Sequence, residues 1–331
     1  MNQIAGKSSL HEGLEKLYGF KIESVLPEHM GYRNRSYPFT TEAGEHLNFI
    51  VYKDEPDILN RVRNANKVSG LLSAGLPART PYDGRLIEVA ACGRRLVGCL
   101  YLYLPGEVIP WEAYTAKHLK LLGQAMAKVH NALSETDGAF LPDVEDEYLA
   151  ITGRMRTYFS QPGVKQAMKE KLGLNIRHEV FDYCASVINL CRRLPDRQAL
   201  HMDLVRGNIL FDEGSGGLFI SGILDFEKAS YGFRYFDLGR TLAFLLTDSF
   251  YKSDQEVFKN FLLRGYVRAG GGEYKSIKVG KTDLLAAIID LFCVYDFYKF
   301  LKHAPYESLP DNHHFVRTRE RLLKRGLVTP G

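Results

Sequence analysis

Residues 201–213 read HMDLVRGNILFDE and combine polar side chains with an apolar run. Three of the polar residues, His201, Asp203 and Asn208, fall on a predicted loop, and the run at 208–212 is typical of a strand. The pattern fits either an ordinary polar turn or three side chains that are aimed at one reacting centre.

A second predicted strand, at 218–224, follows the turn sequence EGSGG and leads directly into Asp225. Two neighbouring strands joined by a turn are expected to hold Asn208 and Asp225 close together, with Asp203 on the loop before them. Oxygen ligands of this kind suit Mg²⁺, which usually keeps several waters and shares its remaining coordination with substrate phosphates. The sequence therefore predicts a cluster of three oxygen-bearing side chains with affinity for magnesium.

The composition is that of a folded chain with reduced cysteines. Its 331 residues, 45% hydrophobic and 25% charged, provide material for one large globular domain or two lobes and argue against disorder. The net charge of +4 is mild and the basic residues are dispersed, so we expect no nucleic-acid partner. None of the cysteines forms a CxxC pair, which predicts buried thiols rather than a disulfide framework or a zinc site. They are Cys92, Cys99, Cys184, Cys191 and Cys293.

No segment of the sequence resembles a membrane anchor or a signal peptide. The first 20 residues carry charges throughout and lack the apolar region of a signal peptide. No run approaches the roughly 20 apolar residues that cross a bilayer. We therefore expect a soluble, cytoplasmic protein without a membrane partner.

The chain changes character at LPGE, residues 104–107. Before it the pattern favours strands, interrupted by one helix in DILNRVRNANKVSGLLSAG, whereas long amphipathic helices follow it. This change predicts an α+β fold with a β-rich N-terminal lobe over 1–104 and a mainly helical C-terminal lobe over 105–331. The predicted helices of the second lobe are 112–133, roughly 145–160, 177–193 and several between 236 and 302.

The spacing H-x-D-x-x-x-x-N, followed by a strand that ends in D-F, is that of the catalytic loop and metal aspartate in the protein-kinase-like superfamily. HMDLVRGNILF and ILDFEKASYGFRYFDLGRTLAFLL closely resemble the aminoglycoside phosphotransferase and choline kinase family, which phosphorylates small-molecule hydroxyls. The FDLG segment, and the lack of an APE-like activation segment, favour this family over the protein kinases. The resemblance implies a two-lobed protein-kinase-like fold.

The resemblance also implies roles for single residues. Asp203 would accept or orient the proton of the acceptor hydroxyl, and His201 would brace the loop by hydrogen bonds. Asn208 and Asp225 would hold Mg²⁺ against the phosphates of ATP or another nucleoside triphosphate. Asp237 would tie down the helix that follows.

Nucleotide contacts are expected from three segments of the N-terminal lobe. Lys53, at the end of LNFIVYK, matches the lysine that pairs with the α- and β-phosphates. GYRNRSYPF resembles the nucleotide loop, and successive backbone amides there would form an anion-binding concavity. YLYLPGE resembles the hinge that binds adenine through main-chain groups. The predicted loop and hinge contacts are Gly31, Arg33, Asn34, Arg35, Ser36, Leu102 and Leu104.

Three positions depart from the family pattern. The helix after Lys53 offers no glutamate to pair with it, and alignment puts Asn64 or Asn66 in that place. Met202 stands where the family often has glycine or asparagine, and Glu227 replaces the glycine of D-F-G. Without the ion pair, we expect Lys53 to be positioned less firmly.

Two further features are interpreted as packing. His130, near the end of an apolar helix, shows no carboxylate or metal partner in the sequence and is expected to be structural. The aromatic run LFCVYDFYKF at 291–300 fits a helix core, with a substrate wall or a cation-binding cage as the alternative.

These observations predict a kinase that uses ATP and Mg²⁺ to phosphorylate a hydroxyl of a small molecule. Aminoglycoside, choline or ethanolamine, homoserine, methylthioribose and other sugars all stay open as acceptors. The alternatives are a catalytically weak or inactive nucleotide-binding regulator, favoured by the missing glutamate, and an atypical protein kinase. The sequence gives no indication of the oligomeric state.

Overall fold

The computed structural model describes residues 2–30, 34–53, 57–72, 75–91, 94–249 and 251–331. The chain divides into two compact units. The first comprises Met1–Glu107 and Ser221–Lys228, and the second comprises Val108–Ile220 and Ala229–Gly331. The short segment that carries Asp225 is therefore part of the first unit, although it lies far along the sequence.

The described residues of the first unit form an antiparallel sheet and two helices. The strands are β1 (Ile22–Val25), β2 (His29–Met30), β3 (Arg35–Thr41), β4 (His46–Val51), β5 (Pro81–Ala91) and β6 (Arg94–Leu102), and the helices are α1 (Asn2–Tyr18) and α2 (Ile58–Leu72). The strand order is β1-β3-β4-β6-β5, and β2 pairs with β3. The β-rich character predicted for this part of the chain is confirmed.

Alternation along β4 explains how this sheet is covered. Phe49 belongs to a core cluster with Leu10 and Leu14 of α1. Its neighbour Ile50 belongs to a different cluster, which includes Val62 of α2. Because successive strand residues point to opposite faces, α1 and α2 lie on opposite faces of β4.

The second unit is mainly helical. Its helices are α3 (Ala116–Leu133), α4 (Val144–Ser160), α5 (Pro162–Leu172), α6 (Glu179–Arg192), α7 (Tyr235–Asp248), α8 (Arg264–Arg268), α9 (Leu284–His303) and α10 (His313–Lys324), with a π-helix at Glu256–Leu263. Its short strands are β8 (Leu174–Ile176), β9 (Arg197–Leu200), β10 (Ile209–Gly214), β12 (Ser230–Phe233), β13 (Lys278–Val279), β14 (Thr282–Asp283) and β15 (Val328–Pro330). Two further strands, β7 (Glu107–Val108) and β11 (Gly217–Ile223), have residues assigned to both units. The predicted hairpin is present as β10 and β11.

Helices α7 and α9 form the centre of this unit. Of the 14 residues of α7, 13 are buried, and the aromatic run at 291–300 lies on α9 with Phe292, Phe297 and Tyr298 buried. The expected core packing of that run is confirmed for these residues. A side chain at Gly239 would bring its Cβ within 2.4 Å of Ile288 Cγ2, so the close approach of α7 to α9 requires glycine there.

Four of the five cysteines are buried free thiols, as predicted: Cys99, Cys184, Cys191 and Cys293. Burial raises the pKa of Cys184 to about 12, so the thiol stays protonated at neutral pH. Cys92 lies outside the described residues. No helix of the described ranges is both long and apolar enough to cross a lipid bilayer.

His314 of α10 makes the stability of the second unit depend on pH. Its Nδ1 lies 2.7 Å from Asp248 Oδ1, and its Nε2 lies 2.7 Å from Asp296 Oδ2. Burial lowers the pKa of His314, but the hydrogen bonds and charges of the two carboxylates outweigh burial and raise it to about 9. A histidine whose pKa is raised on folding stabilises the folded state fully below its unfolded pKa of 6.5 and loses that effect as the pH rises through 9.

We therefore expect the free energy of unfolding to fall between pH 6.5 and 9 by about 3 kcal/mol at most, since each pKa unit corresponds to about 1.4 kcal/mol. Denaturant unfolding across this range measures the effect. His314→Gln, which cannot titrate, should remove that part of the pH dependence. Equal slopes for the variant and the parent chain would contradict the assignment.

Candidate active site

The loop between β9 and β10 holds a buried carboxylate. Asp203 is 5% exposed, and both of its side-chain oxygens accept hydrogen bonds. Arg240 Nη2 donates to Oδ1 at 2.9 Å, and Asn208 Nδ2 donates to Oδ2 at 3.1 Å. Asn208 Nδ2 also donates to the backbone carbonyl of Asp203 at 2.9 Å. Arg240 of α7 and Asn208 of the loop thus fix the orientation of the carboxylate from two sides.

The backbone conformation at Met202 explains why glycine or asparagine would suit this position. Its φ of 61° lies in the left-handed region, which glycine and asparagine adopt most readily. Methionine there carries a conformational cost of about 1–2 kcal/mol. The backbone amide of Met202 donates to Asp237 Oδ1 at 2.7 Å, so the strained residue is held by a charge-assisted hydrogen bond.

Asp237, the aspartate of FDLG, braces the start of the loop from α7. It is fully buried, and its Oδ2 accepts from the backbone amide of His201 at 2.9 Å. Burial by itself raises the pKa of Asp237, but His130 and the backbone donors outweigh burial and lower it. Asp237 is therefore an ionised carboxylate that anchors two consecutive amides of the loop.

His201 contacts Asp203 through its ring. The backbone amide of Asp203 donates to His201 Nδ1 at 3.1 Å. Because Nδ1 accepts, the neutral imidazole carries its proton on Nε2. His201 is completely buried, and its hydrogen bond to the Asp203 amide fits the bracing role that the family resemblance implies.

His130 of α3 has two hydrogen-bond partners that lie far from it in the sequence. His130 Nε2 lies 3.3 Å from Asp237 Oδ2, and its Nδ1 lies 2.7 Å from the Tyr266 hydroxyl. These contacts agree with the structural role expected for His130, and they include a carboxylate partner that was not visible in the sequence. The partner lies 107 positions along the chain, so no local signal could have revealed it.

In the first unit, Asp225 lies at a second strained position. Its φ is 56°, and its Oδ1 accepts from the backbone amide of Glu227 at 3.4 Å. The Glu227 side chain accepts from Asn34 Nδ2 at 2.9 Å through Oε1. Burial, and then the nearby charge of Asp225, raise the pKa of Glu227 to about 7. The glutamate that replaces the glycine of D-F-G therefore ties the Asp225 segment to Asn34 of the predicted nucleotide loop.

A tyrosine pair occupies the space between the sheet and α2. The hydroxyls of Tyr52 and Tyr101 lie 2.6 Å apart, and Tyr101 donates to Asn66 Oδ1 at 2.8 Å. Asn66 Nδ2 donates to Cys99 Sγ at 3.4 Å. Both the oxygen and the nitrogen of the Asn66 side-chain amide thus form hydrogen bonds. Lys53 is exposed and lies just beyond β4. Ile50 of β4 and Tyr52, the residue after this strand, both belong to the cluster that includes Val62 of α2.

A small recess, with room for roughly one water molecule, adjoins the tyrosine pair. Arg79 and Glu227 both line it. The Arg79 guanidinium lies 5.6 Å from the centre of the Tyr101 ring, in range of a cation–π interaction. Neither Arg79 nor this recess was predicted from the sequence.

The predicted loop and hinge residues lie in different environments. Ser36 donates to Asn48 Oδ1 at 2.7 Å, and Arg35 is exposed at the start of β3. The amide of Leu102 donates to the Thr80 carbonyl at 3.0 Å, so that donor is already used. Leu104 is half-buried in the segment after β6. Gly31 and Arg33 lie outside the described residues.

Comparisons with known proteins agree with this architecture. The model of the phosphotransferase enzyme family matches residues 25–277. Curated proteins gave no sequence match. Several solved structures share the fold at low sequence identity.

An amicoumacin kinase, solved with AMP-PNP, Ca²⁺ and Ami, is similar with a TM-score of 0.66 at 15% identity, over 99% of this chain and 95% of that one. A microcompartment-associated aminopropanol kinase gives 0.65 at 16% identity over 99% of both chains. The macrolide 2′-phosphotransferase MphH of Brachybacterium faecium gives 0.60 at 15% identity, over 94% of this chain and 96% of that one. The predicted protein-kinase-like fold is confirmed.

Proposed function

Because the chain belongs to the phosphotransferase enzyme family, we propose that it transfers the γ-phosphoryl group of ATP, or another nucleoside triphosphate, to a hydroxyl of a small molecule. The observation that carries this proposal is the fixed carboxylate of Asp203. It is nearly buried, held by Arg240 and Asn208, and set on a loop whose backbone is anchored by Asp237. Phosphoryl transfer asks mainly for positioned groups of this kind, because the reaction needs little covalent chemistry from the protein.

In the proposed reaction, Asp203 accepts a hydrogen bond from the acceptor hydroxyl and orients its oxygen toward the γ-phosphorus. A bond forms between that oxygen and phosphorus, while the bond to the oxygen bridging the β- and γ-phosphates breaks and the nucleoside diphosphate leaves. The hydroxyl proton passes to Asp203 and then to solvent. His201 keeps the Asp203 backbone in place through its bond to the amide.

Asn208 and Asp225 are the proposed ligands of a divalent cation. Both hydrogen bonds of the Asn208 amide to Asp203 use its nitrogen, which leaves the amide oxygen as the donor for a metal. Amide and carboxylate oxygens are hard donors and fit Mg²⁺. Bound Mg²⁺ would neutralise charge on the phosphates.

The nucleotide contacts stay as proposed from the family motif. Lys53 is an exposed cation directly after β4, and the segment that begins at Asn34 enters β3. We propose that Lys53 and the backbone of residues 31–36 bind phosphates, and that main-chain groups at Leu102 and Leu104 contact the base. Support comes from the sequence motifs and from the AMP-PNP complex of the amicoumacin kinase.

The acceptor class is tested by measuring nucleoside diphosphate release with a panel of hydroxylated compounds. The panel includes amino alcohols, aminoglycosides, macrolides, homoserine and methylthioribose, with generic protein substrates as a separate arm. We expect release that depends on one class of small molecule. Release driven only by protein substrates would favour a protein kinase, and nucleotide binding without acceptor-dependent release would favour a non-catalytic regulator.

A further inference from the structure

Arg240 is a buried cation of α7 that contacts the proposed catalytic carboxylate. It lies three residues after Asp237, so both side chains project from one side of the helix toward the loop at 201–208. Asp237 accepts from two backbone amides of that loop, whereas Arg240 Nη2 donates to Asp203 Oδ1 itself at 2.9 Å. The two side chains therefore hold different parts of the loop: its backbone and its reactive group.

The guanidinium is enclosed by aromatic rings. Arg240 is 5% exposed, and it lies 5.7 Å from the ring centre of Phe244 and 5.8 Å from that of Phe292. Its Nη1 donates to the Tyr148 hydroxyl at 3.1 Å. Within the part of the chain that the structure describes, Arg240 Nε is buried without a hydrogen-bond partner. Asp203 is thus the carboxylate that balances this buried charge.

Stability alone does not account for such a pair. Desolvation of two charges offsets much of their attraction, and apolar side chains of similar volume often stabilise a fold equally well. The ion pair adds orientation, because a guanidinium donates along fixed directions. Arg240 takes one oxygen of Asp203 and Asn208 takes the other, which fixes the plane of the carboxylate. An ionised carboxylate has about four acceptor sites, so it can accept from several donors at once, including a substrate hydroxyl.

We propose that Arg240 is a positioning residue for phosphoryl transfer, which holds the Asp203 carboxylate in the orientation that receives the acceptor hydroxyl. The proposal rests on the phosphotransferase function proposed above. It assigns to Arg240, the last residue of FDLGR, a role in turnover that is distinct from the anchoring role of Asp237. Nucleotide binding does not depend on it.

Thr241, the next residue of α7, provides a matched control. Its hydroxyl donates to the Leu204 carbonyl at 3.0 Å, and the side chain is fully buried. Thr241→Val removes one contact between α7 and the same loop but leaves the charge at Asp203 in place. A purely structural role of Arg240 would give similar losses in Thr241→Val and Arg240→Ala.

The experiment measures kcat and the KM values for nucleotide and acceptor in the full chain and in Arg240→Ala, Arg240→Lys, Thr241→Val and Asp203→Asn. Nucleotide affinity is measured by calorimetry, and folding is checked by thermal melting. Arg240→Ala is also assayed with millimolar guanidinium chloride, a concentration far below that which unfolds proteins. The double variant Asp203→Asn, Arg240→Ala completes a mutant cycle.

We expect Arg240→Ala to lower kcat by about 100-fold or more, with nucleotide KM and affinity changed by less than about threefold. Arg240→Lys should retain part of the activity, since an ammonium donates to one oxygen without the planar fork. Guanidinium should restore turnover in Arg240→Ala but not in Thr241→Val. In the double variant, the loss should be close to that of Asp203→Asn alone, because both changes affect one group.

Several results would overturn the proposal. They are a kcat of Arg240→Ala within about threefold of the parent, a loss confined to nucleotide KM, or full additivity with Asp203→Asn. If Arg240→Ala does not fold, Arg240→Lys decides: a reduced kcat with unchanged nucleotide affinity supports the role, and parental kcat contradicts it. If Asp203→Asn itself keeps full turnover, the proposed function of the site has failed, which is a distinct outcome.

Discussion

Asp203→Asn should lower kcat by about 10²–10⁴-fold and leave nucleotide affinity almost unchanged, the range expected when a proton-accepting carboxylate is lost. The change conserves size but removes the charge. It also disturbs the local hydrogen bonds, because Arg240 and Asn208 donate to different oxygens of Asp203. An amide has a single acceptor oxygen, so one of these donors would face an NH₂ group.

Steady-state turnover and calorimetric nucleotide binding separate the two effects. Asp212→Asn is the control, because Asp212 is an exposed carboxylate on β10, the strand that follows the Asp203 loop. It should retain parental turnover. Near-normal kcat in Asp203→Asn, in a protein that melts like the parent chain, would remove Asp203 from its proposed role.

Asp225→Ala should abolish both Mg²⁺-dependent nucleotide binding and turnover. It removes a carboxylate ligand of a cation that depends on few protein ligands and on the substrate phosphates. The positive φ of 56° also makes alanine strained here, so part of any loss comes from the backbone. Asp225→Asn, which tolerates this conformation and keeps one oxygen donor, separates the two contributions.

Calorimetric titration with nucleotide, in the presence and absence of Mg²⁺, measures this effect. For Asp225→Asn we expect the metal to add much less affinity than it does in the parent chain. Unchanged affinity for the Mg²⁺–nucleotide complex in both variants would contradict the assignment of Asp225 as a metal ligand.

The loop at 201–208 and the hairpin that follows it could be predicted from the sequence because their determinants are local. The spacing from His201 to Asn208 lies within eight residues, and the hairpin that follows is specified by apolar runs and a glycine-rich turn. The structure gives the departure at Met202 a physical meaning: the backbone there is left-handed, a conformation that glycine and asparagine adopt most readily.

Contacts between distant residues were not readable. Asp203 and Arg240 are separated by 37 positions, and His130 and Asp237 by 107. A periodic pattern shows which face of a helix is buried but not which polar partner it meets there. The one usable signal for Arg240 was a basic residue in a mostly apolar helix, three positions after Asp237.

The side-chain contacts around Lys53 could not be predicted from the sequence motif. The motif predicts a phosphate-binding role for Lys53 because the residue follows a strand. The motif does not show on which side of the sheet each side chain packs, because that depends on the alternation of side chains along the strand. Tyr52 belongs to the cluster with Val62 of α2. The side-chain oxygen of Asn66, one of the two residues aligned with the missing glutamate, accepts a hydrogen bond from Tyr101.

Helix α1 (Asn2–Tyr18) was not predicted from the sequence, because the N-terminal residues show only weak apolar periodicity.

The central claim, phosphoryl transfer to a small-molecule hydroxyl, is tested most directly by following the γ-phosphoryl group itself. The parent chain is incubated with ATP that carries ¹⁸O in the three non-bridging oxygens of the γ-phosphate, and with the acceptor found in the panel. Mass spectrometry should then show a phosphate monoester of the acceptor that carries all of this label, with the ester oxygen supplied by the acceptor. Labelled inorganic phosphate without any labelled ester would mean that the protein only hydrolyses nucleotide and would contradict the account.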